Sequence, residues 1–594
     1  MRSRSSFGAL MPDSRSLTGG ERLAAALVRH EVRTLFTLAG GHISPIVVAA
    51  KHQGIRVIDV RHEANAVFAA DATARLTGNI GVAVVTAGPG LTNALTPLRN
   101  ALMARSPVVL LCGATATVLR GRGSLQDIDQ MAAVRSHVKW AGQVDRADDL
   151  ISMFERAVGM ALQGVRGPVA LECPVDLLYN SDLVREMYGV ATPLGADAPI
   201  RKRVERWYLE RHLSKTLGHG GLPDSDTPAP VGARRTVPAS NAVARARAAL
   251  DRAERPVLLV GSQAMDAPQE AAALASAIRA LGVPTYLAGM ARGLLGGADA
   301  LQYRHKRREA LRAADCVILA GTPMDFRLDY GRHIAHGATL ITANADPAEL
   351  KKNRRPTLGV VGDADLFVRA LAKGEPSAAW GAWHTAMRAR EEARDAEIVA
   401  GAADAVQPVN PIALCRAIDA LLTDDATIVA DGGDFVATAA YVLRPRAPLS
   451  WLDPGVFGTL GVGAGFAMGA RALRPTGDVW LLYGDGAAGF SLMEFSTLVR
   501  HGLPVIAVVG NDGAWTQIMR DQVPMLGDDV ATVLGREDYE GVAAALGARG
   551  FRIARPEDVE RTLAEALEVA RSGTPVLVNV HIGLTEFRKG AISL

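Results

Sequence analysis

Four cysteines in 594 residues are too few and too scattered to build anything with sulfur. Cys112, Cys173, Cys316 and Cys415 share neither disulfide nor metal-ligand spacing, and three of them lie in or beside apolar runs. A disulfide scaffold and a thiolate metal cluster are excluded, and the pattern reads as buried thiols in a reducing compartment. Aromatic residues are also sparse, at 5%. Charge of one sign is missing as well, since 65 Lys and Arg face 62 Asp and Glu for a net +3. Such a balance gives no basis for a nucleic-acid or membrane-surface partner, so any anion site has to be local. No uninterrupted apolar run approaches the roughly 20 residues of a membrane helix, and the opening MRSRSSFGALMPDSR lacks the apolar core of a signal peptide. The expected location is therefore cytoplasmic, with no membrane partner.

What is present is a globular composition, 49% hydrophobic and 21% charged, on a chain too long for one core. From Leu17 onward, amphipathic helical stretches such as ERLAAALVRHEV alternate with short apolar runs: RTLFTLAG, IRVIDV, GVAVVTAG, SPVVLLCGA and GPVALECPV. That alternation predicts βαβ units on a parallel sheet. It recurs with RPVLLVGS, VPTYLAGM, DCVILAGT and ATLITANAD, and again with TIVADGGD, DVWLLYGDG, LPVIAVVGND and TPVLVNVHIG. The expected fold is α/β, three doubly wound parallel-sheet domains at 17–185, 241–375 and 408–594. Linkers are expected at 186–240, around LGHGGLPDSDTPAPVGARR, and at 376–407, around the charged helical stretch HTAMRAREEARDAEIVAG.

The strongest local signal lies in the third domain. One apolar strand ends in Gly484-Asp485-Gly486, a helical stretch follows, and a second apolar strand ends in Asn511-Asp512-Gly513. In a parallel sheet both ends reach the same carboxyl edge, so Asp485 and Asp512 arrive side by side where ligands bind. Glycines let backbone approach a diphosphate, and Mg²⁺ takes a few hard oxygens together with substrate phosphate. A lone Gly-Asp-Gly is also an ordinary turn. The separation of 27 positions between Asp485 and Asp512 sets this one apart.

That segment resembles the thiamine-diphosphate motif, in which Gly-Asp-Gly is followed at the same interval by an Asn pair. Asp512 stands where the second asparagine usually stands, which adds negative charge and keeps an oxygen ligand. The resemblance implies thiamine diphosphate and Mg²⁺ as cofactors, with Asp485, Asp512 and the backbone of Ala514 as metal ligands and Gly484 and Gly486 beside the diphosphate. Two other segments fit the same family. RHEANAVFAADATARLTG is similar to the helix whose glutamate meets the aminopyrimidine ring, which implies that role for Glu63. FGTLGVGAGFAMGA matches the run that bends the cofactor, implying Leu460 as the apolar wedge and the Gly458 carbonyl as acceptor for the 4′-amino group. In this family one protomer supplies the pyrimidine side and another the diphosphate side, so a homodimer or homotetramer is expected.

The resemblance covers essentially the whole chain, in the order pyrimidine-binding, central and diphosphate-binding domain, as in acetolactate synthases, oxalyl-CoA decarboxylases and 2-hydroxyacyl-CoA lyases. FTLAGGHISP, VVTAGPGLTNAL, AGMARGLLG, FRLDYG, DGGDF, GNDGAWTQI and TEFRKGAISL look most like the lyases. This implies cleavage of a 2-hydroxyacyl-CoA to formyl-CoA and an aldehyde one carbon shorter, or the reverse condensation, with acyl-CoA and aldehyde as small-molecule partners. His42 and Gln126 would face the reacting centre, and Gln517 would line the substrate pocket. For the CoA phosphates the run YRHKRREAL supplies Arg304, Lys306, Arg307 and Arg308, with Arg307 the expected contact, and Asp346 follows a strand where it can accept from a ribose hydroxyl. Acetolactate synthase-like condensation of 2-oxo acids, with a flavin in the central domain, is the alternative. A non-catalytic CoA- or nucleotide-binding protein is the remote one.

Overall fold

A computed structural model describes residues 17–195, 197–217, 234–373 and 380–588. Its frame is three six-stranded sheets in which every adjacent pair is parallel. The first sheet holds β1 (Thr34–Thr37), β2 (Arg56–Asp59), β3 (Gly81–Val85), β4 (Val108–Ala114), β5 (Trp140–Gln143) and β6 (Val169–Pro174), ordered β2-β1-β3-β4-β6-β5. The central sheet holds β7 (Pro256–Val260), β8 (Thr285–Leu287), β9 (Gln302–Tyr303), β10 (Cys316–Ala320), β11 (Thr339–Asn344) and β12 (Leu358–Val361), ordered β12-β11-β10-β7-β8-β9. The third holds β13 (Thr427–Ala430), β14 (Trp451–Leu452), β15 (Val479–Gly484), β16 (Ile506–Asn511), β17 (Arg549–Ile553) and β18 (Val576–His581), ordered β14-β13-β15-β16-β18-β17.

The first and third sheets therefore share one topology. In each, the chain runs outward in one direction from its first strand and then crosses to the other side. The crossing leaves a crevice at the carboxyl edge between β1 and β3, and another between β13 and β15, which is where ligands bind in open α/β sheets. The central sheet reverses between β7 and β10 instead.

All interior strands carry near-continuous apolar sequence because helices cover both faces. The linker stretch LGHGGLPDSDTPAPVGARR falls largely outside the described residues. Its flank at Ile200–Thr216 is a helix, as is Gly381–Ala402 in the second expected linker. No helix among the described residues is long and apolar enough to cross a membrane.

Two features lock the first and third domains together within the chain. The helix Glu63–Thr77 lies against the helix Gly463–Leu473, and the crossing is close because Gly465 and Gly469 have no side chain. A Cβ on Gly469 would stand 2.4 Å from the Ala69 carbonyl oxygen, and one on Gly465 2.5 Å from Phe68 Cβ. Phe68 and Phe466 pack edge to face beside it, with ring centroids 5.9 Å apart. The buried Glu494 carboxylate accepts from Arg61 N at 2.9 Å, His62 N at 3.1 Å and Asn65 Nδ2 at 3.0 Å, fixing the turn that precedes Glu63.

Candidate active site

The third-sheet crevice is built from three strand ends. After β15, the buried Asp485 turns its carboxylate toward backbone: Oδ1 accepts from Gly486 N at 2.8 Å, and Oδ2 accepts from Gly513 N at 2.7 Å and Ala514 N at 3.2 Å. After β16, Asp512 Oδ1 accepts from Ala514 N at 3.2 Å, so both aspartates share one turn. Burial pushes Asp485 above the usual carboxylate range. Burial, then the neighbouring Asp485 charge, pushes Asp512 up to about 7. Two adjoining carboxylates in a buried turn repel each other and call for a cation. Among the described residues no group of three or more His, Cys, Asp and Glu side chains gathers.

Glycines open the same crevice. A Cβ on Gly486 would meet the Trp515 ring at 2.4 Å, and Gly433 has φ +114° with its Cβ direction 3.0 Å from Gly484 Cα. The cavity left is lined by Gly433, Asp434, Gly484, Asp485, Gly486, Asp512, Ala514 and Gln517, so Gln517 stands beside the metal turn. Above it, Leu460 is half-buried, on a loop bent by left-handed Gly458 (φ +63°) and Gly461 (φ +87°). Sequence reasoning had assigned no role to Asp431, Gly432, Gly433 or Asp434. The signal was legible, since TIVADGGD ends a strand on the same edge that pairs with β15.

The first-sheet crevice gathers the other residues. Glu63 opens its helix, is 6% exposed, and accepts from Asn93 Nδ2 at 3.0 Å through Oε2. His42 follows β1, and its Nδ1 lies 3.2 Å from Thr86 Oγ1 at the end of β3; that hydroxyl lies 3.4 Å from Gln126 Oε1. Gln126 holds φ +62°, an uncommon conformation for a side-chain-bearing residue. Burial keeps the His42 imidazole below the usual histidine range, opposed by its bond with Gln126. Next to Gln126 lies a cavity of about 400 Å³ lined by Arg120, Asp127, Gln130, Gln143 and Glu172. Thr86 and Asn93 were missed because they sit in VVTAGPGLTN, which reads as a strand and a glycine turn.

Each crevice thus assembles its own residues. Among the described residues no hydrogen bond or ion pair joins Glu63, His42 or Gln126 to Asp485, Asp512 or Leu460.

The basic run of the central domain is divided rather than clustered. The helix begins only at Arg307 (Arg307–Ala313), after Lys306 at φ +51°. Arg304 Nη2 caps the helix Asp434–Val442 by donating to the carbonyls of Tyr441, Val442 and Leu443, at 2.6, 3.1 and 3.2 Å. Lys306 pairs with Glu397 and Arg308 donates to His333. Arg307 is half-buried, donates to the Arg327 carbonyl at 2.8 Å, and is held below the usual arginine range by burial. Asp346, after β11, accepts from Ala348 N at 2.9 Å and lies 3.4 Å from Arg105 Nη2 of the first domain. No bond among the described residues joins Arg307 to Asp346.

Two crevices of like topology, one carrying a buried glutamate and the other a glycine-lined acidic turn, mark the candidate site on a three-sheet α/β frame. Family models for the N-terminal, central and C-terminal domains of thiamine pyrophosphate (thiamine diphosphate) enzymes match residues 17–133, 243–371 and 431–580. The chain belongs to the thiamine pyrophosphate enzyme family. It is 46% identical to the protein named 2-hydroxyacyl-CoA lyase 2 from Homo sapiens, over 97% of this chain and 92% of that one. It is 44% identical to the protein of that name from Danio rerio, over 97% and 93%, and 32% identical to a probable acetolactate synthase from Mycobacterium bovis, over 96% of each.

Proposed function

We propose that the protein is an Mg²⁺-dependent thiamine-diphosphate lyase that cleaves a 2-hydroxyacyl-CoA into formyl-CoA and an aldehyde one carbon shorter. The carrying observation is the paired acidic turn at the carboxyl ends of β15 and β16. The choice of reaction rests on relatives named 2-hydroxyacyl-CoA lyase 2, which are 44–46% identical against 32% for the probable synthase.

When bound, thiamine diphosphate supplies the carbon nucleophile and the electron sink of the reaction. Asp485, Asp512 and the Ala514 backbone would hold Mg²⁺, and Gly484 and Gly486 would leave room for backbone to approach the diphosphate. Glu63 presents its carboxyl to the pyrimidine N1′, with Asn93 fixing its orientation. The Gly458 carbonyl and the Leu460 side chain would hold the aminopyrimidine side of the cofactor. His42, whose imidazole burial holds below the usual histidine range, is placed to accept a proton from the substrate hydroxyl, with Gln126 beside it. Gln517 lines the acyl side, and Arg307 and Asp346 meet the adenosine end of CoA.

A second copy of the chain joins the halves. Leu125, next to Gln126, is 78% exposed, and Met525 and Leu526 at the end of the helix Thr516–Leu526 are each 77% exposed; exposed apolar surface of this kind is covered in stable assemblies. Incubation with thiamine diphosphate, Mg²⁺ and a panel of 2-hydroxyacyl-CoAs against pyruvate tests the reaction. Formyl-CoA release is expected; acetolactate from pyruvate, or bound flavin in the absorption spectrum, favours the synthase reading instead.

A further inference from the structure

Asp431 is buried and, among the described residues, makes no side-chain ion pair. It stands just past β13, and its backbone N–H continues the ladder to Leu482 O at 3.0 Å. Its carboxylate is a fork: Oδ1 accepts from Gly461 N at 2.9 Å and Oδ2 from Gly463 N at 2.7 Å. Those two amides bracket the point where the loop Asp453–Val462 becomes the helix Gly463–Leu473, whose N-cap residue Val462 supplies no side-chain cap. A carboxylate at a helix N-terminus meets the positive end of the helix dipole, which offsets part of the burial cost. Burial still pushes Asp431 up to about 7.

The bound amides lie immediately after Leu460. Two anchors, one and three residues downstream, leave the Leu460 backbone no freedom to slide along the crevice. Its side chain is set from the same strand end, because a Cβ on Gly432 would stand 2.2 Å from Leu460 Cδ2. The far side is closed too: a Cβ on Gly461 would meet Phe490 Cβ at 2.8 Å, and one on Gly463 would meet Tyr483 Cε1 at 2.5 Å. Everything that fixes Leu460 therefore comes from the Asp431-Gly432 pair and the packing behind its loop.

We propose that Asp431 is a positioning residue for the reaction, tying the Gly461 and Gly463 amides so that Leu460 holds its place against the cofactor, with Gly432 leaving the room that place requires. This rests on the proposed role of Leu460 as the wedge. An asparagine cannot replace the fork, because the two amides meet different oxygens, and where asparagine carries NH₂ in place of one of them that group opposes the N–H.

The test uses full-length Asp431→Asn, Gly432→Ala, Leu460→Ala and the Asp431→Asn/Leu460→Ala double variant. In cofactor-free protein, amide hydrogen exchange at Gly461 and Gly463 should speed at least tenfold in Asp431→Asn. At saturating thiamine diphosphate and Mg²⁺, kcat should fall at least tenfold in both Asp431→Asn and Gly432→Ala, with the substrate KM within about threefold. The double variant should be no slower than Leu460→Ala, because the tie acts through that side chain. Unchanged exchange overturns the tie, and faster exchange with wild-type kcat overturns the positioning role. Losses that multiply in the double variant also overturn it. A Leu460→Ala variant with wild-type kcat sinks the wedge reading instead, leaving the exchange result to stand by itself. If Asp431→Asn does not fold, Gly432→Ala decides, since it keeps the carboxylate and displaces only the leucine.

Discussion

Glu63 and Asp512 show how much a single position does in this site. Glu63 is buried and held by Asn93, so Glu63→Gln keeps the shape and removes the proton; folding should persist while kcat falls by at least a hundredfold. Wild-type turnover would remove Glu63 from the chemistry. Asp512 is crowded by Asp485, so without metal its charge is a cost to the fold. Asp512→Asn should raise the melting temperature of metal-free protein at pH 8 and still bind Mg²⁺, whereas Asp512→Ala should lose metal affinity. The sign follows from the raised value: the destabilisation grows as pH rises through about 7 and is absent well below it. Calorimetry of metal-free protein across pH, with titration of Mg²⁺, checks both; equal metal binding by the two variants would remove Asp512 from the ligand set. His42 shifts the other way. Its lowered value places the acid limb of kcat/KM below the usual histidine range, and His42→Ala should abolish that limb. The unfolded chain protonates more readily, so His42 also costs stability as pH falls through the ordinary histidine value.

At the scale of elements, the crossing of Glu63–Thr77 with Gly463–Leu473 carries the Glu63 end and the Leu460 end of the chain on one packed pair. Gly469→Ala drives a methyl into the Ala69 carbonyl and should cost about 1–3 kcal/mol, read as a lower calorimetric melting temperature. An unchanged melting temperature would mean the helices separate easily. Sequence patterning failed in one consistent place: the strands it did not register, β5, β9, β12, β14 and β17, all lie at or next to an outer end of a sheet. β5 is half-buried throughout, β12 alternates buried and exposed, and β17 buries only its last residue, so none shows a continuous apolar run. β9 and β14 have only two residues each, too few for any period. Interior strands were legible because helices on both faces force them to be apolar at every position.

At the scale of the molecule, the proposed reaction draws on residues of all three domains. Arg307→Ala should raise the KM for 2-hydroxyacyl-CoA roughly ten- to a hundredfold if it meets a CoA phosphate, with thiamine-diphosphate affinity unchanged. Equal kinetics would leave Arg307 as the support of the Arg327 carbonyl that its hydrogen bond already makes it. The sequence by itself determined the three-domain α/β order, the interval between Asp485 and Asp512, and the glutamate at the start of its helix. All of these are local patterns: strand, turn and helix signals written in consecutive residues. Only the tertiary structure decided that the first and third sheets share one strand order, that His42, Thr86 and Gln126 meet across a crevice, and that the basic run is divided among a helix cap, an ion pair and single hydrogen bonds. It also placed Asp431 beneath Leu460. Such pairings depend on where parallel strands are laid beside each other, and that order is set by packing between segments far apart in the chain, which no spacing along it encodes.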